Sequence, residues 1–594
     1  NTNQNIGSND IVFSNSKKSE MEPLVINGNS EWQLLASSVP WCNGSGTWND
    51  PYIIENISIN GNITSICIKI INSNVFFIIR ACAFYNSRSS YYHAGIFMSN
   101  VSNSILINNN CSNNERGISI ESSSNITIVD NYLADNEYSG IFIEGTTNST
   151  IVNNLIFYND IGIIVIPMFI DYPSTYKRSN LIKIMNNSLI KNNEFGIRLN
   201  ADNSICYGNI VNDCGIGIHL YSSFFIECSE NLLTRCGFII YGSKEELSSF
   251  SININNLVNN KSVIFYSNEN NLDPNEFLNA GQVFLINCND STISNLHVSY
   301  CSRGISLYYC QNITISNINV SYNLDRSIFK RGEGIHLEEC HYITICRNFL
   351  FTNSYGLYSI NSEFLTISRN IITKNNYGIK SVKCHNLVLS SNTLNYNNDL
   401  GLYLFDSENC YIFNNTANFN RRGFWLSNCS NSEIIKNIAN YNVISGIDVI
   451  HGANYKISNN IANNNDFQGI AFFGVDYSIL TDNFASNNKY YGITLIYSEF
   501  NVIQNNMANN NTYGLELSFS KSNLIIGNIL LDNDICYIED EYCERNTFIN
   551  NICQISDLDV LIISLIIGLI LLTVILIIYL KRIVYKRITD IIVQ

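Results

Sequence analysis

A glycine followed by Ile or Leu recurs every 22 or 23 residues along most of this chain. A fixed period of this size is typical of one small structural unit stacked many times. The pattern therefore predicts a solenoid, with function on its outer surface or where the period breaks. The phased glycines are Gly95, Gly117, Gly140, Gly162, Gly334, Gly356, Gly378, Gly401, Gly423, Gly446, Gly469, Gly492 and Gly514.

Each repeat contains three short stretches in which apolar residues alternate with polar ones, as in 445–467. Alternation over a few residues, bounded by Gly, Asn, Ser and Asp, indicates short strands and tight turns. No repeat holds an apolar helical pattern, so the chain is predicted to be all-β, with about 22 rungs of 22–23 residues. Two series of Asn run in phase with the glycines, and we expect their amides to form ladders between rungs. They include Asn348, Asn370, Asn392 and Asn415, and five residues further on Asn353, Asn375, Asn397 and Asn420.

The repeated G-I-x-L…N-x-I-x-x-N pattern and the segment GSGTWNDPYIIENISING (44–61) resemble a known family. The chain is similar to right-handed parallel β-helix proteins of the pectin-lyase-like class, specifically to the NosD or CASH-type repeats of archaeal surface proteins. The resemblance implies a right-handed parallel β-helix and an archaeal source. A fold of this kind hosts many functions, so it implies no particular activity.

The C-terminal part breaks the repeat. Residues 560–580 carry no charge and are long enough to cross a bilayer, and the basic residues 581, 582, 586 and 587 follow. We therefore predict a membrane-spanning helix at 560–580, an external rod and a cytoplasmic tail at 581–594. The predicted division is an N-terminal extension (1–23), the β-helix (24–553), a linker (554–559), the helix and the tail. The chain starts at Asn1 without Met, which we interpret as removal of a signal peptide.

The net charge is −15 for the chain and −17 for the part before residue 559. An acidic rod without a basic stripe repels nucleic acid, so nucleic-acid binding is excluded from the hypotheses. The seven His show no metal-ligand spacing, and no cofactor is predicted apart from a possible calcium ion at a carboxylate pair described below. Fifteen Asn-x-Ser/Thr sequons fit an external location and predict some glycosylation. The candidates are Asn43, Asn56, Asn62, Asn125, Asn148, Asn312 and Asn319.

The cysteines are informative through the period. Cys206 and Cys228, like Cys214 and Cys236, are 22 residues apart and are expected to stack on adjacent rungs. Either a disulfide or a ladder of small apolar side chains fits this spacing. Three further cysteines, Cys536, Cys543 and Cys553, are predicted to close a disulfide-bonded cap over the last rung.

If the residue after each Gly points inward, the next one points outward, and so does the residue two further on. This outward stripe on the first strand of the rung contains an aromatic patch that suits sugar rings, which are apolar on one side and wet on the other. Stacking of aromatic residues on an exposed sheet is the alternative interpretation. The predicted carbohydrate-binding residues are Tyr308, His336, Glu338, Tyr358, Tyr403, Phe405 and Trp425. That this face carries the substrate groove of polysaccharide-active β-helices is an implication of the resemblance.

Two features qualify as candidate chemistry. Glu121 and Glu144 occupy equivalent outward positions on adjacent rungs, and like charges this close would raise one pKa or suit a calcium ion. Insertions at 167–179 and 323–331 interrupt the period, and the second places charged residues before His336 and Glu338. The signature sets of polygalacturonases and mannuronan epimerases are absent as sets, so no catalytic residue is assigned.

These observations favour a membrane-anchored, cell-surface protein whose rod is structural, carbohydrate-binding or both, and they favour binding over catalysis. One alternative is a membrane-tethered polysaccharide lyase or glycoside hydrolase acting on the first-strand face. The other is a surface-lattice or adhesion component that binds neighbouring surface proteins.

Overall fold

The computed structural model describes residues 19–171, 175–323 and 332–554, together with positions 572, 573 and 577. The chain divides into two compact units, residues 1–411 and 412–594. Each unit is built from short strands that pair in parallel with their counterparts one repeat later. The predicted all-β, right-handed parallel β-solenoid is confirmed.

The buried Asn ladders explain why the repeats stay in register. The Asn370 side chain donates to Ile345 O and to Asn392 Oδ1, both at 2.9 Å, and its own Oδ1 accepts from the Asn348 N–H at 3.0 Å. Asn370 is 1% exposed, so an unmet amide there would be costly. Asn370 therefore satisfies groups on the rung before and on the rung after, as the periodicity predicts.

The phased glycines mark the closest approach between rungs. A Cβ built on Gly334 would lie 2.5 Å from the carbonyl oxygen of Gly356, the next glycine in the series. No side chain fits at that distance. The glycine therefore permits a close contact between successive first strands of the rung.

In the first unit, the first strands of the rungs form two runs. The earlier run contains Leu24–Asn27, Ile68–Ser73, Ala94–Ile107, Arg116–Glu121, Ser139–Glu144, Ile161–Ile166, Phe195–Leu199, Ile216–Tyr221 and Phe238–Tyr241. The later run contains Lys261–Ser267, Ala280–Ile286, Arg303–Tyr308, Glu333–Glu338, Tyr355–Ile360, Tyr377–Val382 and Leu400–Phe405. We call this the first-strand sheet, and its outward side the first-strand face.

The second strands of the same unit are Cys42–Asn43, Tyr52–Glu55, Phe77–Arg80, Ser124–Val129, Thr147–Val152, Ser179–Met185, Ala201–Asp202, Ile205–Tyr207, Glu227–Ser229, Ser251–Ile252, Asn289–Ser294, Gln311–Ser316, Thr344–Cys346, Thr366–Ser368 and Val388–Ser390. The third strands are Ser19–Met21, Ile57–Ile63, Ala83–Ser87, Asn110–Cys111, Tyr132–Ala134, Leu155–Phe157, Ser188–Ile190, Ile210–Asn212, Leu232–Thr234, Leu257–Val258, His297–Ser299, Asn319–Ser321, Phe349–Phe351 and Ile371–Thr373. Their inward side chains, such as Ile345 and Leu350, are fully buried and form the core.

The second unit repeats this plan. Its first strands are Arg422–Ser427, Ser445–Ala453, Gln468–Asp476, Tyr491–Ile496, Tyr513–Ser518 and Ile535–Glu539. Its second strands are Glu433–Ile435, Lys456–Ser458, Ile479–Thr481, Val502–Gln504, Leu524–Ile526 and Thr547–Ile549, and Tyr411–Phe413 contains the boundary between the units. At the third position only isolated bridges remain, such as Ile438↔Ile461.

The chain also contains helices, which the repeat pattern did not predict. Within 19–171, 175–323 and 332–554, the α-helices are Asn29–Ser38 and Lys244–Ser248, and Pro274–Phe277 is a 3₁₀ helix. The first helix buries Trp32 completely, with its ring 4.6 Å from that of Phe77. Trp32 is the one buried side chain of this helix, so the helix has no apolar stripe for the sequence pattern to reveal.

Several predictions concern segments at the margins of the described residues. The insertion at 167–179 contains a small antiparallel hairpin, Met168–Asp171 with Thr175–Lys177. Most of 323–331, including its charged residues, lies outside the described residues, as do almost all of 560–580 and the whole of 581–594. Among the described residues, no helix is both long enough and apolar enough to span a membrane.

Candidate functional site

The first-strand sheet is interrupted between its two runs, since the strand Phe238–Tyr241 has no backbone-paired neighbour in the described part of the later run. Polar side chains bridge the gap. Gln282 imitates a neighbouring strand, since its side-chain oxygen accepts from the Phe238 N–H at 2.9 Å and its amide donates to Phe238 O at 2.6 Å. The Ser302 hydroxyl likewise accepts from the Gly237 N–H at 3.0 Å. Backbone groups that would otherwise be unpaired are thereby satisfied.

Next to this junction lies a buried polar cluster formed by Arg303, Glu333, His336, Glu338 and Tyr308. Arg303 Nε is 2.7 Å from Glu333 Oε2, and the same carboxylate oxygen is 2.8 Å from His336 Nδ1. The other imidazole nitrogen, Nε2, is 3.3 Å from Glu338 Oε2. His336 is therefore held between two carboxylates, one buried and one partly open to solvent.

Tyr308 closes the cluster from the side of the junction. Its hydroxyl accepts from Arg303 Nη1 at 2.7 Å and donates to Ile240 O at 2.8 Å. Burial raises the pKa of Tyr308, so the phenol is neutral at physiological pH. Burial disfavours the charged form of Arg303, but Glu333 and Tyr308 outweigh this effect and hold the Arg303 pKa above its ordinary value. Arg303 therefore keeps its charge.

A cavity of about 300 Å³ opens beside this cluster. Its walls combine charged groups with aromatic rings, a mixture typical of sites for small polar ligands. It is lined by Tyr241, Arg303, Glu333, His336, Glu338, Tyr355, Tyr358, Ile360 and Lys380.

Lys380 lies among four tyrosine rings on the first-strand face. Its ammonium nitrogen is 5.3 Å from the ring centroid of Tyr355, 5.5 Å from those of Tyr377 and Tyr403, and 5.7 Å from that of Tyr358. Ring faces attract a cation at this range and limit where it can point. The tyrosines therefore hold a positive charge at the edge of the cavity.

The structure differs from the predicted aromatic patch in important details. Tyr308 is 1% exposed and is not an open subsite, since it is turned toward Ile240 and Arg303. His336 is 2% exposed and forms part of the cavity wall. Tyr358, Tyr403 and Phe405 are half-buried on the first-strand face. Glu338 lines the cavity with 17% of its side chain exposed.

Trp425 belongs to the second unit, where it lies within a different polar group. The Arg422 guanidinium carbon is 4.2 Å from its ring, and Arg422 Nε is 3.3 Å from Asp448 Oδ2. Burial raises the pKa of Asp448. This carboxylate also accepts hydrogen bonds from Ser445 and Gln468, at 2.5 and 2.9 Å.

Sequence reasoning missed Arg303, Glu333 and Tyr355, and it assigned no role to Lys380. Arg303 and Glu333 directly precede glycines of the repeat, and Tyr355 occupies the same position one rung later. This position also faces outward. Considering it together with the two positions after the glycine would have identified the cluster.

The cysteine and sequon candidates take the following places. Cys206 and Cys228 are register partners on adjacent strands, and they, Cys214 and Cys236 are all buried as free thiols, without the disulfides that one interpretation allowed. Cys536 and Cys553 form a disulfide, and Cys543 is free and half-buried. Six of the predicted glycosylation positions are exposed: Asn43, Asn56, Asn62, Asn125, Asn148 and Asn312, whereas Asn319 is half-buried.

Glu121 and Glu144 are register partners on adjacent first strands, as the spacing predicts. Burial raises the pKa of both carboxyls, and the charge of Glu144 adds to the effect on Glu121. Arg116 Nη1 is 3.7 Å from Glu121 Oε1 and partly offsets it. Among the described residues, no group of three His, Cys, Asp or Glu side chains has a geometry that could hold a metal ion.

Fold and site together define a parallel β-solenoid with a polar, tyrosine-lined cavity on its first-strand face. A sequence model of the family described as "Periplasmic copper-binding protein (NosD)" matches residues 2–195, 196–354, 283–445 and 401–557. The chain belongs to the NosD family. No curated protein matches it.

Solved structures with similarity to this chain are loose matches. The periplasmic alginate epimerase AlgG is 10% identical over 90% of this chain and 85% of its own, with a TM-score of 0.27. The A-module of the mannuronan C-5 epimerase AlgE4 of Azotobacter vinelandii is 13% identical over 64% and 89%, with a TM-score of 0.30. PfbA, a surface adhesin of Streptococcus pneumoniae, is 10% identical over 76% and 88%, with a TM-score of 0.22. These similarities carry no conclusion about activity.

Proposed function

We propose that this protein binds an extracellular glycan on the first-strand face of its first unit, with the cavity at Arg303–Lys380 as the principal subsite. The observation that carries the proposal is the direct contact between a buried charged cluster and a wall of tyrosines in one cavity. Tyrosine rings pack against the apolar faces of sugars, and fixed carboxylates accept hydrogen bonds from hydroxyls.

The cluster is preorganised for such a ligand. Glu333 is 2% exposed and already paired with Arg303 and His336, so it serves to hold the other groups in place. Glu338 is more open and has one carboxylate oxygen near His336. We assign Glu338 and Lys380 as the polar contacts of the glycan, and Tyr355 and Tyr358 as its ring contacts.

The test is retention of the full chain on immobilised neutral and acidic polysaccharides. Tyr358→Ala is expected to weaken retention about tenfold, since one lost aromatic contact removes roughly 1–1.5 kcal/mol. Tyr300→Ala is the matched control, because Tyr300 is 47% exposed in a turn and lies outside the cavity. Absence of retention on every polymer would contradict the proposal.

A polysaccharide lyase or glycoside hydrolase is the second candidate, favoured by one observation. His336 lies between Glu333 and Glu338, an arrangement that can orient an imidazole for proton transfer. The same polymers would be examined for new reducing or unsaturated ends. Products lost in His336→Gln but kept in His341→Gln, which alters an exposed histidine, would establish catalysis.

We further propose that residues 560–580 anchor the protein in a membrane, with the solenoid outside. This rests on the sequence, since 21 uncharged residues precede Lys581 and Arg582. The full chain is expected to remain with membranes after alkaline carbonate washing. A variant with two Lys substitutions within 560–580 is expected to be released, and equal release of both chains would contradict anchoring.

A further inference from the structure

Four arginines lie on the outward side of first strands, and one of them differs from the others. Arg116, Arg303 and Arg422 each have a carboxylate oxygen within 3.7, 2.7 and 3.3 Å. Arg198 forms no ion pair within the part of the chain that the structure describes. Its Nε is shielded from solvent without a hydrogen-bond partner there, as is Nε of the other three, so the missing ion pair is what distinguishes Arg198.

The surroundings of Arg198 are aromatic and apolar. Its guanidinium carbon is 5.6 Å from the ring of Phe195 and 5.9 Å from that of Tyr221. Its register partners on the neighbouring strands are Ile164 and His219. Arg198 is half-buried, so its guanidinium has lost part of its hydration, and no carboxylate in 19–171, 175–323 or 332–554 offers a counter-charge in exchange.

His219 does not supply that counter-charge. Its ring stacks on Phe195 at 5.3 Å, and its Nδ1 is buried without a hydrogen-bond partner among the described residues. Burial, together with the charges of Arg198 and Arg303, lowers the pKa of His219 to about 3, so the ring is neutral at physiological pH. The positive charge at this place therefore belongs to Arg198.

We infer that Arg198 is an anion subsite that takes a carboxylate or sulfate group of a glycan lying along the first-strand face. The inference rests on the proposed glycan binding and further specifies that the glycan carries negative charge. A planar guanidinium binds either anion through two parallel hydrogen bonds. Tyr221 is half-buried, with its ring 5.9 Å from the guanidinium carbon, and a sugar ring would pack there.

The position of Arg198 suits a ligand that also occupies the cavity. His219 pairs with Arg198 on one side and with Ile239 on the other, so Arg198 is two strands from the strand that carries Tyr241. That separation is roughly 10 Å, and Tyr241 lines the cavity. Because the chain carries a net charge of −15, general attraction of a polyanion does not explain binding here.

The experiment compares polymers that differ in charge alone: polygalacturonate with its methyl ester, and dextran sulfate with dextran. In the full chain, Arg198→Gln is expected to weaken binding of the preferred charged polymer about tenfold or more, the value of one charge-assisted pair. Binding of its neutral counterpart is expected to stay unchanged. Arg198→Lys should keep the preference for the charged polymer but at reduced affinity, since lysine retains the charge and loses the two parallel hydrogen bonds. Arg80→Gln, at an exposed arginine paired with Glu55, is the control.

The melting temperature of the ligand-free protein gives a second readout. Arg198→Gln is expected to raise it, since the substitution removes an unpaired, poorly hydrated cation. A lower melting temperature, or equal loss of neutral and charged polymers, would make Arg198 a structural residue and overturn the inference.

The failure of this inference is distinguishable from failure of the proposed function. If polymers bind in a Tyr358-dependent way but Arg198→Gln leaves the charged polymer unaffected, the anion subsite is wrong and the glycan site stands. If no polymer binds the wild-type chain, both are wrong. The two polymer pairs also separate carboxylate from sulfate as the group recognised.

Discussion

Arg116 and Arg303 occupy the same position of the repeat, directly before a glycine, yet their surroundings differ. Arg116 is 1% exposed and lies between two rings, 3.6 Å from the centroid of Phe142 and 4.3 Å from that of Tyr91. Arg303 is bound instead by Glu333 and by the hydroxyl of Tyr308. One is enclosed by aromatic side chains and the other belongs to a polar network beside a cavity.

The difference shows that the repeat position determines the direction of a side chain but does not determine which groups it contacts. The turn before Ala94 brings Tyr91 over Arg116, and a hydrophobic cluster containing Phe142 and Ile164 continues along the face. Around Arg303 the sheet junction leaves polar groups to be satisfied, and Glu333 and His336 extend that network. The side chains on adjacent rungs therefore determine whether an arginine at this position is closely packed or borders a ligand site.

The largest effect is expected for Glu333→Gln. It leaves Arg303 buried without its carboxylate and removes a partner of His336, at a cost of about 3 kcal/mol. The measurement is the free energy of local opening from hydrogen exchange of the strands Arg303–Tyr308 and Glu333–Glu338. The double variant Arg303→Met/Glu333→Leu should recover most of the loss, and unchanged exchange in Glu333→Gln would disprove the buried network.

Arg116→Met is expected to cost less, about 1 kcal/mol, measured by exchange of the strand Arg116–Glu121. Methionine still fills the space between Tyr91 and Phe142, and the Glu121 carboxylate, 15% exposed, keeps contact with water. Lys456→Met, which alters an exposed pair with Glu433, is the control and should change stability by less than about 0.5 kcal/mol. If Arg116→Met lowered the free energy of local opening as much as Glu333→Gln does, the proposed difference between aromatic packing at Arg116 and a polar network at Arg303 would be wrong.

The sequence predicted the parts of the molecule that depend on the period. The β-solenoid, the Asn ladders and the pairing of Glu121 with Glu144 follow from residues 22 or 23 apart in the chain. Such contacts recur from repeat to repeat, so a structural prediction made for one repeat is supported by the same pattern in the others. The helix Asn29–Ser38 and the sheet junction do not repeat, and no pattern indicated them.

The candidate site was predicted only in part for the same reason. His336, Glu338 and Tyr358 were identified from their place in the repeat and do line one cavity. Tyr308 has the same pattern but is buried, because its hydroxyl reaches Ile240, 68 residues earlier in the chain. Contacts across an irregular junction of this kind depend on local geometry that periodicity does not encode.

The smallest expected effect concerns pH in the Arg116 region. Burial raises the pKa of the Glu144 carboxyl in the folded protein, so folding favours its protonated form. That contribution to stability is present below the ordinary carboxyl pKa of about 4.3 and is lost as pH rises through the folded value. Glu144→Gln is therefore expected to raise the melting temperature at pH 7 and to leave it nearly unchanged at pH 4.

This prediction sharpens the contrast between the two arginines when the variants are combined. Arg116 lowers the pKa of Glu144, so its removal should raise that pKa further. Glu144→Gln should consequently stabilise the protein more in the Arg116→Met background than in the wild type. Glu408→Gln, which alters an exposed carboxylate, should behave alike in both. Equal effects in the two backgrounds would mean that Arg116 acts through its aromatic packing alone, and that its charge does not reach the carboxylate pair.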